Sequence, residues 1–155
     1  MLSDALVRQT LGPGLSVVVG TADASGTPSC CRAVGLVVDA SAQGVTVYLP
    51  VMTSAAVIAD IATTGRVAIV SSNPVDHSTV QIKGCRRLVR VAGAEDLPVV
   101  RDLLDRLADT LETVGLSKRL SRSLAHWPAF AVEVDVDAVF DQTPGPRAGN
   151  LVKGK

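Results

Sequence analysis

The sequence predicts a mainly β protein with peripheral helices, an α+β fold built on a six-stranded antiparallel β-barrel. Three observations carry this. Short β-branched runs follow one another through turns in the order α-β-β-β-α-β-β-α-α-β, which favours antiparallel connections with helices outside the sheet. Residues 79–91 change parity: Val80 and Ile82 share one face, whereas Val89 and Val91 belong to the other. A bulge near Gly84-Cys85 reconciles them and bends the strand as a small barrel requires. Residues 130–140 alternate cleanly, with Phe130, Val132, Val134, Val136 and Phe140 predicted inward and Glu133, Asp135 and Asp137 outward.

In chain order, Ser3 is placed to cap a short helix to Thr10, with Leu2, Leu6 and Val7 on one side and Gly12-Pro13-Gly14 ending it. Residues 15–21 read as a buried strand. Asp23 to Pro28 is a hairpin turn with Gly26 at the strained position. Residues 29–38 form a second strand, in which Arg32 stands among apolar neighbours. Residues 45–49 form a third, with Val45, Val47 and Leu49 opposite Thr46 and Tyr48. Thr53 or Ser54 caps a helix over 54–64 whose stripe is Val57, Ile58 and Ile61, and Gly65 stops it.

Strands 66–70 and 79–91 enclose a loop holding Asn73-Pro74, Asp76 and His77, which is turn chemistry. The longest helix runs 97–114 behind Asp96, with Leu97, Val100, Leu103, Leu104, Leu107, Leu111 and Val114 at helical spacing and Pro98 in its first turn. Ser117 opens a short basic helix to His126, stopped by Pro128. Residues 141–155 read as a loop-like tail. No internal repeat or linker interrupts the chain, so residues 1–155 are expected to make one domain.

Composition narrows the function. Of 155 residues, 47% are apolar and only 3% aromatic, so the core must be aliphatic. Fifteen basic residues balance fifteen acidic ones, and Arg86-Arg87 with Arg90 lies on a strand as an edge-protecting face. A nucleic-acid partner is not expected. No apolar run reaches membrane-span length, and the N-terminus lacks a secretory pattern, so a cytoplasmic protein without a membrane partner is expected. Cys30, Cys31 and Cys85 make neither a disulfide framework nor a zinc spacing. The chain has no GxSxG, which removes support for serine hydrolase chemistry.

Several residues admit two readings. Arg32 is a phosphate ligand or an edge-strand ion-pair partner. His77, Ser78 and Thr79 sit at a strand mouth, where ligands bind, but a loop histidine can equally be solvated. Tyr48 stacks on a ligand or covers the sheet, and Trp127 beside His126 packs. Gln142, Thr143 and Arg147 reach a partner's site or belong to a mobile tail.

Four segments in order resemble the pyridoxamine 5′-phosphate oxidase-like family of FMN-binding split barrels: Cys31-Arg32-Ala33-Val34; Val45 to Leu49 leading to Thr53-Ser54; Gly65 to Val70; and His77 to Gly84. The tail FDQTPGPRAG is similar to tails of small family members. The resemblance implies a homodimeric flavoprotein oxidoreductase acting on a small-molecule substrate, with FMN between the protomers. A deazaflavin in its place, or a haem ligated by His77 or His126, is the alternative, as is a non-catalytic binding module or a barrel that has lost its cofactor.

The resemblance places Arg32, Thr53 and Ser54 near the phosphate. It places Tyr48, His77, Ser78 and Thr79 near the ring, with the backbone N–H groups of Ala33 and Val34 as ring-edge donors, and Gln142 and Arg147 in the partner's contribution. The chain departs from the family where a lysine is usual, at Gly35-Leu36-Val37-Val38, and where an arginine or lysine is usual, at Ala55-Ala56.

Overall fold

The computed structural model describes residue 2 and residues 5–154. Ser3, expected to cap the first helix, and the side chain of Leu6 lie outside the described residues. The elements are α1 (Ala5–Thr10), β1 (Ser16–Ala22), β2 (Pro28–Arg32), β3 (Gly35–Val38), β4 (Gly44–Pro50), a 3-10 turn (Val51–Thr53), α2 (Ala55–Thr64), β5 (Arg66–Ser72), β6 (Thr79–Val91), α3 (Leu97–Thr113), α4 (Lys118–Arg122), β7 (Ala129–Asp141) and β8 (Leu151–Gly154). The strands form one antiparallel sheet in the order β2-β1-β5-β6-β7-β4-β3, and β8 pairs with β7. Among the described residues no helix is long and apolar enough to cross a membrane.

The path therefore has seven strands, not six, because the segment expected as one strand is split. Its halves, β2 and β3, stand at opposite ends of the sheet. Between them Ala33 N–H donates to Val17 O of β1, and Val34 N–H donates to Tyr48 O of β4, both at 2.9 Å. One continuous segment thus bridges the two ends and curls the sheet into a barrel. The burial pattern records the switch: Cys31 and Ala33 are buried in the main core, and beyond the break the inward residue is Leu36. The main core is aliphatic, led by Val17, Val19, Val47, Leu49, Ile61, Ile69 and Ile82, all essentially inaccessible.

Two bulges shape the β6–β7 pair, where the register shifts between Lys83 and Gly84 and again between Arg86 and Leu88. The first shift falls where the sequence parity breaks, but its extra residue is Asp137 on β7. The second leaves Arg87 over on β6 and lets Val89 join the core edge. The Asp137 bulge also corrects the expected inward face of β7. Beyond it Val139 is buried in place of Phe140, whose half-exposed ring carries Lys83 Nζ 5.1 Å from its centroid. The tail is not purely loop, since β7 runs to Asp141 and β8 returns along it.

Helix ends follow local chemistry with two exceptions. Gly65 ends α2 at φ 69°, its N–H donating to Ile61 O, and Ser117 Oγ caps α4 by accepting from Leu120 N–H. Ser54 occupies the N-cap position of α2, yet its hydroxyl caps nothing and is buried without a partner among the described residues. Asp96 precedes α3, but its carboxylate turns away from the helix N–H groups toward Arg90 and Tyr48. A second cluster, outside the barrel, packs α3 residues Val100, Leu103 and Leu104 against Val34, Tyr48 and Ala131.

Candidate functional site

Arg32 is the last residue before the barrel seam, on the outer face of β2. Its guanidinium is half-buried, and burial lowers its pKa from the usual arginine value. Among the described residues it has no hydrogen bond or ion pair, whereas Arg87, Arg90, Arg106, Arg122 and Arg147 each face a carboxylate. It lines a cleft of about 300 Å³ with Cys30, Cys31, Pro50, Thr53, Leu124 and Ala125. The orphaned hydroxyl of Ser54 follows Thr53 at the start of α2, where N–H groups and the helix dipole favour an anion. These are the chemical parts of an anion site.

A broader groove of about 550 Å³ adjoins this cleft through Cys30 and runs over Gly20, Ala22, Val67 and Ala68, with Arg66 and Lys83 on its lining. One rung of the outer face reads Arg32–Val18–Val70–Gln81–Phe140 across β2, β1, β5, β6 and β7. Val18 is 40% exposed there, so this face offers a low apolar floor beside the cation.

His77, Ser78 and Thr79 belong to a second group. His77 is exposed at φ 62°, its N–H donating to Asn73 O. Ser78 Oγ donates to Asp76 Oδ1 at 2.6 Å. Thr79 O accepts from Gln142 N–H at 2.8 Å, and Thr79 N–H donates to Thr143 Oγ1 at 3.0 Å. Arg147 Nε lies 3.5 Å from Asp141 Oδ2, so the tail residues gather beside Thr79 in the same chain. Arg32 and Gln81 share a rung three strand spacings apart, roughly 14 Å, and Thr79 lies two residues beyond Gln81. One chain therefore holds the candidates as two separated groups.

Three expected contributors have other partners. The N–H groups of Ala33 and Val34 are engaged in the seam and are not available to a ring edge. Tyr48 faces α3, where its hydroxyl donates to Asp96 Oδ1 at 2.9 Å. Burial first, and this bond second, raise its pKa to about 12. Sequence reading also missed Cys30, which lines both the cleft and the groove. The signal was there, because residues two apart on a strand share a face and Cys30 precedes Arg32 by two.

No protein-family model matches the chain, and no curated protein matches it. Solved structures do. An F420 reductase superposes with a TM-score of 0.56 at 13% identity, covering 85% of this chain and 94% of its own. A single-residue variant of HupZ from Group A Streptococcus gives 0.56 at 13% identity, covering 91% and 99%. HutZ, the haem storage protein from Vibrio cholerae, gives 0.51 at 11% identity, covering 91% and 95%. With the bridged sheet order, these likenesses decide the architecture. The fold is an antiparallel split barrel, the architecture that these structures share. In this split barrel the Arg32 cleft opens beside the seam, and the His77–Arg147 group lies along β6 and the tail.

Proposed function

We propose that this split barrel is a cytoplasmic, homodimeric flavoprotein oxidoreductase that binds FMN or its deazaflavin counterpart and acts on a small molecule. The observation that carries this reading is the half-buried guanidinium of Arg32, unpaired among the described residues, beside Thr53 and the orphaned hydroxyl of Ser54. A charge withdrawn from water without a counter-charge is costly, and a phosphoryl group at this point would complete it. The donor set fits the phosphoryl end of a flavin: one cation, two hydroxyls and a helix N-terminus. The apolar floor around Val18, Gly20 and Ala68 suits a flat ring.

The two separated groups support the dimer. A second copy would bring its His77, Ser78, Thr79, Gln142 and Arg147 toward the first copy's Arg32, so that two chains complete one site. When bound, the flavin supplies electron transfer through its N5. The chain's own part is to hold the phosphoryl end, to seat the ring on the floor and to cover it from water.

Thermal melting with FMN, a deazaflavin and haem tests the reading, since a ligand of the native state raises the melting temperature. FMN or the deazaflavin should stabilise the wild type, and Arg32→Ala should abolish the effect. Stabilisation by none of the three removes the reading. Bleaching of the bound flavin by NADH or NADPH at a catalytic rate separates an oxidoreductase from a binding module without turnover.

Haem is a second reading, favoured by His126. Its Nδ1 lies 2.9 Å from Leu124 O, which directs Nε2 away from that contact, and Leu124 and Ala125 line the Arg32 cleft. A Soret band lost in His126→Ala would select it.

A further inference from the structure

The acidic side chains of the sheet stand apart from its broad groove. Strands β1 to β6 carry no aspartate or glutamate, so every carboxylate of the sheet stands on β7. The chain as a whole balances fifteen basic residues with fifteen acidic ones, so the separation is one of placement. The groove of about 550 Å³ lies over β2, β1, β5 and β6, and its charged lining is Arg66 and Lys83. Register sets these two on a diagonal, because Arg66 pairs with Cys85 and Ala68 with Lys83. Diagonal neighbours lie roughly 7 to 8 Å apart, which two long side chains close onto one anion.

Arg66 meets the Cys85 thiol at 3.4 Å and stands 3.9 Å from Asp137 Oδ2, both through Nη1, so the rest of its fork is left for a ligand. Lys83 Nζ rests 5.1 Å from the Phe140 centroid. Gly20, Ala22 and Ala68 make the floor between these cations and Cys30. A Cβ on Gly20 would meet nothing nearer than Ala68 O at 4.0 Å, so the sheet is bare there and admits a flat body. The rung Cys30–Gly20–Ala68–Lys83 covers three strand spacings, roughly 14 Å, from the Arg32 end to the cationic end.

We propose that the small molecule taken by this groove is a planar carboxylate whose anionic end lies between Arg66 and Lys83. This rests on the flavin reading above and names the substrate class of the same site. The second copy's His77 and Arg147, which that reading brings toward Arg32, enter at the opposite end, with Arg147 tied to Asp141. Both groove cations are exposed, so their pull amounts to a preference of about fivefold over a neutral analogue.

The test uses the whole protein and three probes with one ring system: naphthalene-2-carboxylate, naphthalene-2-carboxamide and 2-(aminomethyl)naphthalene. At about pH 7 these carry one negative charge, none and one positive charge. Backbone amide shifts are titrated with each probe, with FMN and without it. The FMN-loaded protein should bind the carboxylate about fivefold more tightly than the carboxamide and the ammonium least, with the largest shifts around Ala68 and Lys83. The double variant Arg66→Gln with Lys83→Gln should bring the carboxylate to the level of the carboxamide. Arg32→Ala, titrated without FMN, should leave the preference unchanged.

Equal affinity for carboxylate and carboxamide, or no binding of any probe, overturns the proposal while leaving the flavin reading intact. So does a preference that survives the double variant or is lost in Arg32→Ala. A preference that FMN removes also overturns it, because ring and carboxylate would then compete for one place. FMN failing to bind, while the flavin-free protein keeps the preference, overturns the flavin reading alone.

Discussion

The Tyr48 hydroxyl donates to Asp96 Oδ1 at 2.9 Å, joining residues 48 positions apart. Asp96 also accepts a short bond from Arg90 Nη1, one of 3.0 Å from Arg90 Nη2 and one of 2.8 Å from Gly93 N–H. The carboxylate ties β4, β6 and the start of α3 at one buried point. Asp96→Ala would leave the tyrosine hydroxyl, the Gly93 amide and one side of Arg90 unpaired, a loss of about 3 kcal/mol in urea unfolding. Tyr48→Phe removes one donor of several and should cost about 1 kcal/mol. Neither is expected to abolish ligand binding at Arg32.

The same contacts set a pH dependence. The hydrogen bond from Arg90, ahead of all other contributions, holds the Asp96 carboxyl down to about 2 from 3.8. A group depressed by folding stabilises the protein above its unfolded value, and that stability is lost as pH falls through the folded one. Unfolding free energies should therefore drop by about 2 kcal/mol between about pH 4 and pH 2 on account of Asp96. Asp39, which is also lowered to about 2 by Ser41 and Arg87 against its burial, titrates in the same window. The difference between wild type and Asp96→Asn isolates the Asp96 share. Tyr48, raised from 10 to about 12, acts with the opposite sign: its share is present below pH 10 and disappears as pH climbs through 12.

Gly84 lies at the first bulge, and a Cβ built there meets the carbonyl oxygen of Asp135, with Val134 Cγ1 at 2.8 Å. Backbone cannot yield as a flexible side chain does. Gly84→Ala should destabilise by about 3 kcal/mol, whereas Gly26→Ala, on an open turn at φ 88°, should cost about 1 kcal/mol from its backbone conformation alone. Paired thermal melts of the two variants check the contrast.

Thiol chemistry should single out Cys30. Its side chain is exposed, while Cys31 is buried and its pKa is pushed up to about 11, first by that burial. An aromatic disulfide reagent at neutral pH should label Cys30 in the native protein and Cys31 only in denaturant. Because Cys30 lines the Arg32 cleft, a bound flavin should slow its labelling. Mass spectrometry of tryptic peptides reads both effects.

Arg32→Ala should leave stability within about 0.5 kcal/mol of wild type, since no described residue loses a hydrogen bond or ion pair. Urea unfolding without ligand measures this. A large loss would mean that the guanidinium has a structural duty.

Much of the architecture could be read from residue patterns. The alternation of Val45, Val47 and Leu49 is local, and so is the glycine stop at Gly65. The parity break near Gly84 was visible because Val80 and Ile82 cannot share a face with Val89 on an unbroken strand. What escaped depended on partners distant in the chain. The switch at Ala33-Val34 is invisible locally, because both halves remain extended and only their hydrogen-bonding neighbours change. The Asp137 bulge flips Val139 and Phe140, which are both apolar, so hydrophobicity could not choose between them. For Tyr48, the deciding residue was Asp96, which looked like an ordinary helix cap. In the site, Arg32 was conspicuous as an arginine among apolar neighbours, whereas the pairing of the tail with Thr79 needed the folded chain.

The bridge at Ala33 and Val34 has a mechanical side. Two hydrogen bonds, donated by the Ala33 and Val34 amides, hold the ends of the sheet together, and the side chain immediately before them carries the cation of the cleft. An anion gripped by Arg32 and the start of α2 would span the joint like a clasp over a hoop, shielding those two amides from deuterium uptake more than any others in the barrel.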